Sequence, residues 1–175
     1  MSNSMYNNSI PVMALHLDNL AGLLNSALDY AKHEGIDELV LTNSRLFPDM
    51  HPLSKQVQIA CDTVKRGAAR MAGLEPPVHE DTETTFAELQ ARIASTKAYL
   101  LTLPEDAING SENTVFEIPA GPYKLTFKGA ELLTLWIMPN MYFHISTTYN
   151  ILRHNGVKIG KLNFLGLSAF VTSGP

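Results

Sequence analysis

The amino-acid sequence predicts an all-α fold, a four-helix bundle with a small β-hairpin inserted before the last long helix. Two observations carry this prediction. Apolar residues recur at three- and four-residue steps over four long segments, which is the pattern of amphipathic helices. One shorter stretch, residues 115–127, alternates apolar and polar residues on either side of a Pro-Ala-Gly-Pro sequence, which is typical of a hairpin.

Prolines and glycines set the expected boundaries of the four helices. We expect helices over residues 10–33, over residues 52–72, from Thr82 or Thr84 to about residue 103, and over residues 129–155. Pro139 should kink the last helix, because proline removes one backbone hydrogen bond. Gly67 lies inside the second helix, where glycine costs roughly 1 kcal/mol relative to alanine. A close helix contact is therefore expected at Gly67.

Length and composition predict one globular domain spanning residues 1–175. The chain has 175 residues, of which 45% are apolar and 17% are charged. We expect residues 157–175 to form a C-terminal tail that packs on the bundle or across a dimer interface. The low share of charged residues suggests additional buried surface, and on that basis we expect a homodimer.

Charge and targeting patterns limit the classes of partner that this protein is expected to bind. The net charge is −4, and the one basic group, Lys65, Arg66 and Arg70, is typical of a solvated helix face, so no nucleic-acid partner is expected. No apolar stretch is long enough to cross a bilayer and no signal peptide is apparent, which predicts a cytoplasmic protein without a membrane partner. The one cysteine, Cys61, excludes an intramolecular disulfide and lies in an apolar run typical of the core.

Two polar pairs form the candidate site. Asn140 and His144 are four residues apart, so they share one face of the fourth helix. Gln58 and Asp62 have the same spacing on the second helix. Both pairs lie in mostly apolar stretches, where buried polar groups need hydrogen-bond partners. Side chains from facing helices of a bundle can converge on an internal site, so we expect a polar pocket between helices two and four.

Several stretches of the chain resemble one family. They are Ser4-Met5-Tyr6, Pro11-Val12, residues 53–63, residues 81–89, residues 139–144 and residues 149–157. Together they resemble an uncharacterised, domain-of-unknown-function branch of the DinB/YfiT-like superfamily of four-helix bundles. The resemblance covers nearly the whole chain and implies a DinB-like bundle, but no activity is assigned to the branch.

The resemblance also raises the question of a metal. Metal-binding members of the superfamily have one histidine on the second helix and a His-x-x-x-His pair on the fourth. Aligned on Leu152-Arg153-x-Asn155-Gly156, this chain has His144 at the second histidine of the pair, Asn140 at the first, and Gln58 at the remaining position. Carboxamides are poor ligands for zinc or nickel, so a divalent transition metal is disfavoured, with Asp62 as a candidate replacement ligand.

Three functions stay open from the sequence. The first is a pocket in which Gln58, Asp62, Asn140 and His144 bind a small molecule, with His144 as a candidate catalytic acid or base. The second is a metal- or thiol-dependent transferase or isomerase, as among some relatives. The third is a structural dimeric protein without a catalytic site, in which these side chains satisfy one another. Whether the protein is an enzyme is not decided by the residues alone.

Overall fold

The computed structural model of the protein describes residues 4–166. This described part of the chain is mostly helical and contains one small two-stranded antiparallel sheet. Its elements are α1 (Ile10–Glu34), α2 (Glu38–Thr42), α3 (Leu53–Met71), α4 (Phe86–Leu100), α5 (Glu105–Asn109), β1 (Val115–Ala120), β2 (Tyr123–Lys128), α6 (Gly129–Glu131), a π-helical segment (Leu132–Ile137), α7 (Met138–His154) and α8 (Lys161–Leu165). No helix between residues 4 and 166 is long and apolar enough to cross a membrane.

The termini of the long helices have recognisable causes. Pro11 lies in the first turn of α1, where its missing N–H is not needed, and Gly35 ends the helix with a positive φ of 66°. At the start of α4, Thr85 and Glu88 form a capping box in which each side chain accepts a hydrogen bond from the other's backbone N–H. The sequence placed this start one to three residues too early, because Thr82, Thr84 and Thr85 are equally good caps in isolation.

The last long helical stretch runs from residue 129 to residue 154 but changes its hydrogen-bond pattern on the way. The π-helical segment lies directly before α7, and Pro139 is in the first turn of α7. The backbone N–H of Met138 donates to the Leu133 carbonyl, five residues back. The expected interruption at Pro139 therefore takes the form of a π-helical segment, a feature that is frequent at functional sites.

The core lies between α1, α3, α4 and α7. Helix α3 packs against both α7 and α4, and α1 packs against α4. Gly67 of α3 faces Ile137, and a Cβ at Gly67 would lie 2.5 Å from the Ile137 Cδ1 atom, so the expected close contact is confirmed. Cys61 is fully buried, and burial raises the pKa of its thiol to about 12, as suits a core residue.

The hairpin and the C-terminal segment pack on the helices. In the hairpin, Ala120 pairs with Tyr123 across a two-residue turn, and Ile118 is buried against the core. In the C-terminal segment, α8 packs against α1, where the Asn19 amide donates to the Phe164 carbonyl at 3.2 Å. The rest of the expected tail, residues 167–175, lies outside the described residues.

Candidate functional site

A cavity of about 450 Å³ opens between α3 and the last helical stretch. The hairpin and the segment before α4 contribute to its walls. The lining residues are Lys55, Gln58, Ile59, Asp62, Thr63, Arg66, Gly67 and Arg70 of α3, Asp81, Ile118 and Pro119, and Leu132, Trp136, Ile137 and Asn140. The cavity therefore lies between the two helices from which the sequence predicted a polar pocket.

Three of the four predicted site residues line this cavity, namely Gln58, Asp62 and Asn140. Each already has a hydrogen-bond partner. The Gln58 amide donates to Glu83 at 3.0 Å, and Asp62 accepts from several cations. The Asn140 amide nitrogen donates to the Trp136 carbonyl at 2.6 Å, inside the last helical stretch. These side chains are therefore held in position by the fold.

The fourth predicted residue, His144, is not among the residues that line the cavity. It lies one helical turn beyond Asn140, where the facing turn of α3 presents Gln56. The His144 Nδ1 atom is 2.7 Å from the Gln56 Oε1 atom, and the Gln56 amide nitrogen donates to the His51 carbonyl at 3.1 Å. The expectation that His144 shares a pocket with Gln58, Asp62 and Asn140 is corrected accordingly.

The partners of His144 fix its tautomer. Because the His51 carbonyl can only accept, the Gln56 amide must point its nitrogen there and its oxygen toward His144. Nδ1 of His144 therefore carries the proton and donates it. Burial, with a smaller contribution from the His51 imidazole, lowers the pKa of His144 to about 4. The imidazole is thus neutral near pH 7 and is a weak base.

Acidification is expected to destabilise the fold through His144. The folded-state pKa of about 4 lies below the reference value of 6.5, so the folded state favours the neutral imidazole. This contribution is fully present above about pH 6.5 and is lost as the pH falls through about 4. Between about pH 7 and pH 4.5 the wild type should lose roughly 1–2 kcal/mol more unfolding free energy than His144→Gln, since solvent screens part of the effect for a partly buried imidazole.

Urea unfolding of both proteins at the two pH values measures this difference. Other titrating groups are common to the wild type and the variant, so their contributions cancel in the comparison. Glutamine keeps a donor toward Gln56 but does not titrate. Equal losses of unfolding free energy in the two proteins would contradict the assignment of a depressed pKa to His144.

A cluster of mostly buried charged side chains lies beside the cavity. The Arg92 side chain is 1% exposed and donates to Asp62 at 2.8 Å and to Glu83 at 3.0 Å. Lys65 is equally buried and lies 2.8 Å from the same Asp62 oxygen. Lys65 was expected on a solvated face together with Arg66, but α3 turns only Arg66 of these two outward. We refer to Asp62, Lys65, Glu83 and Arg92 as the charge cluster.

The charge cluster also anchors residues 74–85, which connect α3 to α4. Asp81 accepts from Arg92 at 3.0 Å and from Lys55, and the hydrogen bond from Lys55 is the main reason that the pKa of Asp81 is lowered. The His79 ring nitrogen Nδ1 lies 3.0 Å from the Lys65 Nζ atom. Burial would lower the pKa of Arg92, but its bond to Glu83 and the nearby carboxylates outweigh burial and raise it.

The donor atoms do not fit the metal site that the resemblance implies. Gln58 is bonded to Glu83, Asp62 is bonded to cations, and His144 lies with Gln56 instead of with either. Within residues 4–166, no three histidine, cysteine, aspartate or glutamate side chains are grouped so that they could hold a metal ion. Cationic neighbours around the available carboxylates would further disfavour a divalent cation.

Several residues of the site carry no distinguishing pattern in the sequence. Gln56 is one of two glutamines on α3, and only the rotation of the helix decides which one faces His144. Arg92 and Glu83 come from other segments, and their pairing with Asp62 depends on the packing of α4 against α3. Trp136 could have been found, since it lies four residues before Asn140 and pocket walls combine aromatic side chains with a few polar groups.

Comparison with solved structures shows that this mostly helical fold with its small hairpin is DinB-like. A structure described as a DinB family member protein from Shewanella denitrificans is similar to this chain, with 39% sequence identity and a TM-score of 0.86. The alignment covers 97% of this chain and 95% of that chain.

The family model described as "Domain of unknown function (DUF1993)" matches residues 5–165. The chain therefore belongs to the DUF1993 family, and its resemblance to an uncharacterised DinB-like branch is confirmed. A comparison with curated proteins finds no match.

Proposed function

We propose that this protein binds a small molecule in the cavity between α3 and the last helical stretch. The observation that carries the proposal is the cavity itself, about 450 Å³ in volume, with Gln58, Asp62 and Asn140 converging on it from facing helices. This size falls in the range of small-molecule sites, which combine apolar walls with a few placed polar groups. We count α1, α3, α4 and α7 as the four helices of a DinB-like bundle in one domain, with the hairpin inserted before the last.

The fixed geometry of the polar walls supports binding over a purely structural role. Gln58, Asp62 and Asn140 do not satisfy one another, as the structural alternative requires, but are each held by a different partner. A site whose side chains are held before the ligand arrives loses less conformational entropy on binding. Two partly exposed apolar side chains on facing walls, Ile59 and Trp136, provide contact area for a small ligand.

A metal- or thiol-dependent transfer reaction receives less support. His144, the candidate acid or base, does not line the cavity, and its low pKa makes it a weak base. A homodimer stays a prediction. The exposed apolar side chains of Leu135 and Phe143, eight residues apart on the last helical stretch, could supply part of its contact.

Filling the cavity should abolish binding whatever the ligand is. Thr63 lines the cavity from α3, so Thr63→Phe places a ring inside it, whereas Thr102→Phe adds the same ring at an exposed position that does not line it. A small-molecule library is screened by thermal shift and by the fluorescence of Trp136, the only tryptophan of the chain and a lining residue. A ligand at a hundred times its Kd should stabilise the wild type and Thr102→Phe by about 2.7 kcal/mol.

The Thr63→Phe variant should show neither the stabilisation nor the change in fluorescence. Its own melting temperature without ligand verifies that it is folded. A ligand that stabilises Thr63→Phe and Thr102→Phe equally would bind elsewhere, and the proposed site would then be wrong.

A further inference from the structure

The positive charges in the cavity wall outnumber the negative ones. They are Lys55, Arg66, Arg70, Asp62 and Asp81. Lys55 pairs with Asp81, and Arg66 pairs with Asp62 at 2.7 Å. One cation, Arg70, is left over, in a chain whose net charge is −4. The wall of the cavity is therefore locally positive, opposite in sign to the protein as a whole.

Arg70 has neither an ion pair nor a side-chain hydrogen bond to any residue between 4 and 166. It lies in the last turn of α3, where the helix dipole favours a cation. The dipole explains why a positive charge is tolerated there, but it does not provide acceptors for the five N–H groups of a guanidinium. Those donors are available to a ligand.

Arg66 is incompletely neutralised as well. Its partner, Asp62, also accepts from the buried Lys65 and Arg92, so one carboxylate faces three cations. The Arg66 side chain is 66% exposed, whereas the other two are buried and cannot move away from Asp62. Arg66 is therefore the one of the three that can turn toward a second anion.

The spacing of the two arginines brings their side chains together. Arg66 and Arg70 are four residues apart and so lie on the same face of α3. They line the main cavity, and they also line a neighbouring hollow of about 330 Å³ whose other walls, residues 73–76, include Glu75, which forms no ion pair with either arginine. The two guanidinium groups thus stand where the two hollows meet, and the apolar side chains of Ile118, Leu132 and Trp136 also line the main cavity, from the hairpin and the π-helical segment.

We propose that the ligand of this cavity is a small organic anion with an apolar or aromatic body. Its carboxylate or phosphate group lies between Arg66 and Arg70, and its body packs against Trp136. Guanidinium groups bind carboxylates and phosphates through paired charge-assisted hydrogen bonds, which are stronger than neutral ones. This inference rests on the proposed function and adds the chemical class of the ligand.

The test compares an anion with its neutral isostere. Phenylacetate, phenyl phosphate and the uncharged phenylacetamide are each titrated into the wild type, Arg70→Gln and Arg45→Gln, with the fluorescence of Trp136 as the readout. Arg45 is an exposed arginine that does not line the cavity, so Arg45→Gln removes the same charge elsewhere. Both positions are exposed, so both variants are expected to fold, and thermal melting verifies it.

At least one of the two anions should bind the wild type at least tenfold more tightly than the amide. Arg70→Gln should lower the affinity for that anion by about tenfold to a hundredfold, as expected for the loss of one charge-assisted hydrogen bond. Arg45→Gln should leave this affinity unchanged. Preference for phenylacetate or for phenyl phosphate then decides between a carboxylate and a phosphate ligand.

Two other outcomes would overturn the inference, and they are distinguishable. If phenylacetamide binds as tightly as the anions, or if Arg70→Gln and Arg45→Gln behave alike, the cavity binds small molecules but does not select anions. If neither the three probes nor any neutral molecule of the library changes the fluorescence of Trp136, the proposed function fails and the inference fails with it.

Discussion

Replacing Arg92 by alanine should destabilise the protein by about 3–5 kcal/mol, because it removes one partner of a buried ion pair and leaves the other charged. The Arg92 side chain is 1% exposed, and it donates to Asp62, Asp81 and Glu83. Without Arg92, the Glu83 carboxylate loses the cation that it pairs with, whereas Asp62 keeps Lys65 and Arg66. Urea unfolding at neutral pH measures the loss of unfolding free energy.

A surface pair provides the control for Arg92→Ala. Lys97 lies five residues further along α4 and contacts Asp18 at 2.7 Å, but both side chains are substantially exposed. Lys97→Ala should therefore cost only about 0–1 kcal/mol. Similar losses for the two variants would mean that the charge cluster contributes no more than an ordinary surface ion pair.

Replacing Gly129 by alanine should cost about 2–3 kcal/mol, near the upper end for overpacking. A Cβ at Gly129 would overlap the carbonyl oxygen of Ser111 and lie 2.9 Å from its carbonyl carbon. A backbone atom cannot move aside as a flexible side chain can. The backbone N–H of Gly129 also donates to the Thr114 carbonyl at 2.9 Å, which ties the two segments together.

The matched control is a second glycine-to-alanine variant whose stability should change in the opposite direction. Gly22 lies inside α1, is exposed, and would have nothing within 4 Å of an added Cβ. Gly22→Ala should stabilise the protein by roughly 0.5–1 kcal/mol, because alanine loses less conformational entropy in a helix. Thermal melts of both variants, compared with the wild type, measure the two changes in melting temperature. A loss of stability in Gly22→Ala, or none in Gly129→Ala, would contradict this account of the glycines.

The sequence predicted the elements of the fold more fully than the contents of the site. Helix periodicity and the breakers Gly35 and Pro104 depend on neighbours along the chain, so α1, α3 and α4 lie within a few residues of their predicted ranges. The pairing of Asp62 with Arg92 depends instead on how α3 and α4 are rotated against each other. The spacing of Gln58 and Asp62 does not say which turn of α3 faces His144, and the structure places Gln56 there instead.

The buried position of Lys65 shows that sequence patterns also do not reveal which charged residues are buried. Lysine is rarely buried, so a run containing Lys65 and Arg66 indicates a solvated face. The structure buries Lys65 because Asp62 and His79 both lie within hydrogen-bond distance of its ammonium group. The i,i+3 spacing on α3 is compatible with the Asp62 pair, but His79 cannot be assigned from spacing, because residues 74–85 have no periodic pattern.

The orientation of the Asn140 amide makes two walls of the cavity chemically different. Its nitrogen must face the Trp136 carbonyl, since a carbonyl can only accept, and this leaves its oxygen as the end that is free to accept. The first turn of α7 thus presents an acceptor on one wall, while the two arginines of α3 present donors on another. A molecule with a hydrogen-bond donor at one end and an acidic group at the other would satisfy both walls in one orientation only. Selectivity would then extend from the class of ligand to the order of groups along it, so that an isomer with the same atoms reversed is rejected.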